Sequence, residues 1–112
     1  MSLEELDLPQ VEELNLLHAN ICQALGDIKR IQILYILHEK PRRVSDLVDV
    51  LEVPQPTVSR HLALLRQRSL VFSERNGTEA IYHLADPRII DVLNDMRLVL
   101  RDVLERQSNA VK

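Results

Sequence analysis

The chain has 112 residues, is 46% apolar and 28% charged, and carries a net charge of −3, which is the composition of one globular domain with a modest core. Only 3% of residues are aromatic, so that core must be built from Leu, Ile and Val, and the single cysteine, Cys22, excludes an intramolecular disulfide framework. No apolar run is long enough to span a bilayer, and the acidic start MSLEELDLPQ lacks a signal-peptide core, so a soluble cytoplasmic protein with no membrane partner is expected.

The charge is unevenly placed. Residues 1–25 carry Glu4, Glu5, Asp7, Glu12 and Glu13 and no Lys or Arg, whereas residues 42–75 carry six arginines against four acids. Arginine is the cation that binds phosphate and guanine through two parallel hydrogen bonds.

Residues 1–9 are expected to be a disordered tail. From 10 to 25, Leu14, Leu17, Ile21 and Leu25 recur at helical spacing, and Gly26 ends the helix. Asp27 is positioned to cap a second helix over 28–39, with Ile31, Leu34 and Leu37 inward and Pro41 as its stop. Arg42–Val44 reads as a short strand. Ser45 is the expected cap of a short helix, Asp46 to Leu51, that buries Leu47, Val48 and Leu51. Glu52-Val53-Pro54 makes a tight connection to a helix from Gln55 to about Arg68. Pro56 is tolerated in its first turn, where the missing N–H would have no partner. This helix buries Val58, Leu62 and Leu65 and leaves Ser59, Arg60, Ala63 and Gln67 outward, with His61 on its flank.

Leu70–Arg75 and Thr78–Leu84 are strand-like runs around Asn76-Gly77, a pair that favours a two-residue type I′ hairpin turn. That turn would set Phe72 opposite Ile81, Val71 opposite Tyr82 and Glu74 opposite Glu79. The last pairing is mildly unfavourable. Asp86-Pro87 opens a long helix to about Gln107. Its apolar residues, from Ile89 to Leu104, cover more than one face, and the surplus calls for a second partner, most simply the same helix of another copy.

The fold class expected is therefore mainly α with a small β-hairpin: a winged helix-turn-helix in one domain, 1–112, with the helix-turn-helix at 45–68, the wing at 70–84 and a dimerisation helix at 87–107. In such a unit the second helix enters the major groove of DNA and the hairpin reaches the backbone or minor groove. On this reading Arg60 is a candidate for guanine or phosphate, Gln55 for a base edge, Thr57 and Ser59 for phosphates, and His61 for a DNA contact or a packing role. Arg75 and Asn76 at the wing tip are candidates for phosphate or minor-groove contacts, with Asn76 serving the turn in any case. Arg42 and Arg43 are equally placed to touch backbone or to be solvated.

ALGDIKRIQILYIL (24–37), VSDLVDVLEVPQPTVSRHLALLRQRSLV (44–71), with its TVSRHLALLR core, and ERNGTEAIYHL (74–84) resemble the ArsR-type winged-helix repressors, over about residues 15–107. The chain departs from the family at Ile28, where proline is usual, at Pro54, where a capping serine is frequent, and at Arg68-Ser69, near which glycine is common. The resemblance implies a homodimer through the first and last helices, an inverted-repeat operator in double-stranded DNA, and release by a signal. It also implies two metal sites whose residues are largely missing. Arg43-Val44-Ser45-Asp46-Leu47 stands where one has Cys-Val-Cys-Asp-Leu. Asp86 matches the other, but Arg88, Val99 and Asp102 replace its remaining ligands. No metal or other cofactor is therefore expected, and the signal is not legible.

His18 and Cys22, four apart on the first helix, are the remaining sensing candidates. Cys22 sits beside Ile21 and Leu25, and core packing is the preferred reading. His38 and His83 read as flank or strand residues. No nucleophile–base set, paired-carboxylate pocket or glycine-rich phosphate loop points to an enzyme. The rival reading is a winged-helix dimer that serves as a protein-interaction module without operator binding, which the net acidity favours and the arginine-bearing helix disfavours.

Overall fold

The computed structural model describes residues 2–111. The first helical segment runs as α1 (Val11–Leu17), widens into a π turn at His18–Cys22 and closes in a 3-10 turn at Ala24–Gly26. Then follow α2 (Ile28–Glu39), β1 (Arg42–Arg43), α3 (Val44–Leu51), α4 (Gln55–Gln67), β2 (Val71–Asn76), β3 (Glu79–Leu84) and α5 (Arg88–Val111). A short 3-10 turn, Leu3–Glu5, lies in the expected tail, and residues 2–18 are exposed throughout.

The core is aliphatic. Ile33 and Leu34 of α2, Leu47 of α3, and Val58, Leu62 and Leu65 of α4 are fully buried, joined by Val71 of β2 and by Ile89, Ile90 and Leu93 of α5. No polar or charged residue is buried among the described residues. The expected inward residues of α2, α3 and α4 lie on the core side, with Ile31 and Val48 only partly covered and Ile33 added.

Local chemistry sets the helix ends. The Asp27 carboxylate accepts from the backbone N–H of Lys29 at 2.8 Å and of Arg30 at 3.4 Å, as an N-cap should. Asp86 does the same for Arg88 N–H at 2.9 Å. For α3 the expected cap is corrected. Ser45 lies inside the helix, and the Asp46 carboxylate instead accepts from the backbone N–H of Arg43 at 3.0 Å. The end of α4 is a Schellman closure: Leu70 N–H donates to Leu65 C=O and Ser69 N–H to Arg66 C=O, both at 2.9 Å. Ser69 takes the left-handed conformation this requires, at φ 61°. Glu52 does the same at φ 56° in the turn between α3 and α4.

The three-stranded antiparallel sheet has the order β1-β3-β2. Its hairpin register differs from expectation by one residue in the turn. Asn76 pairs with Glu79, Glu74 with Ile81 and Phe72 with His83. Gly77 alone has positive φ, at 67°, so the turn is Gly77-Thr78 with the φ pattern of type II′. The shift removes the Glu74–Glu79 repulsion. It also places Val71 opposite Leu84 on the core side, and leaves the Phe72 and His83 rings stacked at 4.8 Å on the outer face.

Candidate nucleic-acid interface

The short connection after α3 turns the chain so that α4 presents one side to the core and the other to solvent. Val58, Leu62 and Leu65 recur at helical spacing and face inward. Gln55 and Arg60 are therefore exposed, and Thr57 and Ser59 half-exposed. Their side-chain partners lie on the same helix. Gln55 Nε2 donates to Ser59 Oγ at 3.2 Å, and Arg60 Nη2 to Thr57 Oγ1 at 3.5 Å. Such contacts exchange readily for a ligand's, so this face offers an amide, two hydroxyls and a guanidinium within two helical turns. Amide and guanidinium are the side chains that form paired hydrogen bonds with adenine and guanine edges, and hydroxyls commonly meet phosphate.

His61 does not share that face. Its side chain is only 15% exposed, with Nδ1 at 3.4 Å from Arg30 Nη1 and Nε2 at 3.9 Å from Asp27 Oδ1. Burial alone would raise the Asp27 carboxyl, but the Lys29 N–H, the neighbouring His61 and the N–H and charge of Arg30 together hold it below the usual carboxylate value of 3.8.

At the wing tip Arg75 and Asn76 are exposed, and Arg75 Nη1 donates to Thr78 C=O at 3.0 Å. Arg42 and Arg43, by contrast, have protein partners. Arg42 Nη2 bonds Glu39 at 2.9 Å, and Arg43 bonds both Asp46, at 3.0 Å, and Glu79 of the wing, at 3.5 Å. Two further residues extend the exposed polar surface. Ser45 lines a crevice with Gln55, Arg43 and Glu79, and Arg66 continues the α4 face past Ala63. The preference for capping roles hid Ser45; the arginine count of the segment was the available signal for Arg66.

Among the described residues, no group of three or more His, Cys, Asp or Glu is gathered as a metal site. Of the positions that the family resemblance points to, Arg43 with Asp46 and Asp86 with Arg88 form ion pairs. Asp46 is held below the ordinary carboxylate range first by its side-chain bond from Arg43, and Asp86 first by its bond from Arg88, whose Nη2 lies 2.7 Å away. Cys22 is exposed in this chain, which overturns the core-packing expectation. The reason is the π turn: Gln23 N–H reaches back to His18 C=O at 2.9 Å, and the added residue rotates the helix so that Ala24 enters the core instead. His18 is likewise exposed.

A profile of bacterial regulatory proteins of the arsR family matches residues 27–73. The HTH-type transcriptional repressor SmtB of Mycobacterium tuberculosis is 43% identical over 75 residues, 67% of this chain, and that stretch spans only 56% of SmtB. The arsenical resistance operon repressor of Bacillus subtilis is 35% identical over 74 residues, covering 65% of this chain and 70% of the repressor. Among solved structures, Rv0081 of M. tuberculosis superimposes with a TM-score of 0.75 at 33% identity, covering 84% of this chain and 95% of that one. The homodimeric winged helix-turn-helix DNA-binding domain Mb0332 of Mycobacterium bovis superimposes with a TM-score of 0.72 at 25% identity, over 90% of this chain and 95% of that domain.

Proposed function

Because the chain belongs to the ArsR family of bacterial transcriptional regulators, which are not enzymes, we propose that it is a cytoplasmic repressor that binds an inverted-repeat operator as a homodimer. The observation that carries this reading is the outward face of α4, where Gln55, Thr57, Ser59 and Arg60 have, among the described residues, side-chain partners only on their own helix. In the proposal Gln55 and Arg60 read bases, Thr57 and Ser59 hold phosphates, and Arg75 and Asn76 reach the backbone beside them. His61 acts from behind the helix rather than in the groove.

The dimer is supported by α5. Past Leu93 it leaves Met96, Leu98, Val99, Leu100 and Leu104 about half exposed, and α1 leaves Val11, Leu14 and Leu17 similarly open. Apolar area of that extent on the first and last helices favours burial against a second copy. Two-fold symmetry would then set the two α4 helices about 34–36 Å apart, one turn of DNA. The Arg43–Asp46 and Arg88–Asp86 pairs stand where family metal sites would be, so release depends on a signal other than a metal at those positions.

Fluorescence anisotropy tests the reading, with labelled DNA from upstream of the coding sequence against a scrambled duplex over a range of salt. Preference for the upstream duplex, weakening steeply with salt, is expected. Arg60→Ala should weaken operator binding by about 1–3 kcal/mol while sedimentation still shows the dimer. Equal binding to both duplexes by a folded dimer would reject operator recognition and favour the protein-interaction module.

A further inference from the structure

Arg30 lies in the first turn of α2, faces neither solvent nor the proposed groove, and its side chain is only 15% exposed. One planar guanidinium joins three elements. Nε donates to Ala24 C=O at 2.8 Å and Nη2 to Gln23 C=O at 3.1 Å, both at the end of the first helical segment. Nη1 faces His61 Nδ1 on α4 at 3.4 Å. Arginine has no acceptor, so in this bond His61 Nδ1 is the acceptor, which requires the tautomer that places the ring N–H on Nε2, the nitrogen nearer Asp27. The Asp27 carboxylate in turn caps the turn that holds Arg30.

The apolar contacts of α4 to the core come from Val58, Leu62 and Leu65, with Leu64 partly buried beside them. These contacts fix which side of α4 faces the core, but they are not directional and leave room for small adjustments of its angle. The Arg30–His61 bond is directional, and it ties α4 one residue away from Arg60. We propose that Arg30 is a positioning residue: it holds the recognition helix at a fixed axial orientation to the first helix, and so presents Gln55 and Arg60 at one angle. The consequence for DNA rests on the operator-binding reading above; the positioning itself does not.

The experiment measures an intrachain distance. Spin labels are placed at Glu13→Cys and Gln67→Cys in a Cys22→Ser background, and labelled chain is diluted into unlabelled chain so that only intrachain pairs contribute. The parent should give one narrow distance distribution by pulsed electron resonance. Arg30→Met should broaden it at temperatures where circular dichroism shows a folded protein. His61→Leu removes only the α4 end of the link and fills its space, so it should broaden the distribution even if Arg30→Met fails to fold. Arg30→Lys, a point charge that cannot serve three acceptors in one plane, should not restore the narrow peak. An unchanged distribution in the folded variants would overturn the proposal whatever DNA binding does. The upstream duplex then separates the two readings. A broadened variant that binds it about tenfold more weakly supports both. A broadened variant of a parent with no preference for that duplex keeps the positioning role and rejects operator binding.

Discussion

Ser69 offers the sharpest test of the backbone at the end of α4. It holds φ at 61° because the Schellman closure of α4 needs a left-handed residue there. For an L-residue with a Cβ that conformation costs about 1–2 kcal/mol. Glycine removes the penalty but gives the unfolded chain extra freedom, worth about 0.5–1 kcal/mol. Ser69 is exposed, and among the described residues its hydroxyl makes no hydrogen bond, so nothing else is lost. The net expectation for Ser69→Gly is a gain of about 0.5–1 kcal/mol, or a rise in Tm of roughly 2–5 °C. Calorimetry at one chain concentration measures it, because association would otherwise move Tm. Ser69→Ala is the control: it removes the same hydroxyl, keeps the Cβ, and should leave the stability within about 0.5 kcal/mol of the parent. If the glycine variant melts no higher than the alanine variant, the left-handed turn is not where the closure places it.

Gly77 calls for the opposite change. A Cβ there would meet no atom within 4 Å, but φ is 67°, so Gly77→Ala should destabilise the wing by about 0.5–1 kcal/mol, the left-handed cost less the freedom removed from the unfolded chain, read from the urea midpoint. A variant as stable as the parent would place the turn elsewhere. The pH dependence follows from Asp27, Asp46 and Asp86, all held below the ordinary carboxylate value in the folded chain. Their contribution is fully present above that value, 3.8, and is lost as pH falls through the lowered values. The urea midpoint should therefore fall below about pH 4, and fall less steeply in Asp27→Asn; equal midpoints at about pH 3 and pH 6 would contradict the capping geometry.

Much of this was legible because helix periodicity and caps are local. Val58, Leu62 and Leu65 mark the inner side of α4 by spacing, and Asp27 and Asp86 mark helix starts by being short acceptors before apolar runs. What failed depended on choices between near-equal local options. Asn76 and Gly77 both tolerate positive φ, and both registers keep Val71 and Leu84 on one face; the two differ in which residues stand opposite each other, and the Gly77-Thr78 turn sets Glu74 against Ile81 instead of Glu79. Ser45 and Asp46 are both capable caps, and the one nearer the Arg43 guanidinium prevails. A π turn leaves no mark in a window of leucines, so the exposure of Cys22 could not be read. The place of His61 depended on Arg30, thirty-one residues earlier in the chain. The interface residues Gln55, Thr57, Ser59 and Arg60 were readable as a set because they are what remains of α4 once its core face is assigned.

The two-residue strand β1 has an effect out of proportion to its length. Arg42 pairs with Tyr82 and Arg43 with Ile81, so β3 is a central strand at its root and one half of a two-stranded ribbon beyond Ala80. The pairing also spans the entire helix-turn-helix. In kinetic terms, the hairpin β2–β3 and the helices can form early from near neighbours, whereas β1 can join only after α3 and α4 have folded back, since the closing of so long a loop must be compensated by contacts already made. The root of the wing should thus be among the last parts to assemble. Once formed, its Ile81 and Tyr82 amides should exchange with solvent only through opening of the whole domain, while the tip, at Arg75 to Thr78, exchanges through local bending. A wing so built is stiff where it meets the body and compliant where it would meet a ligand.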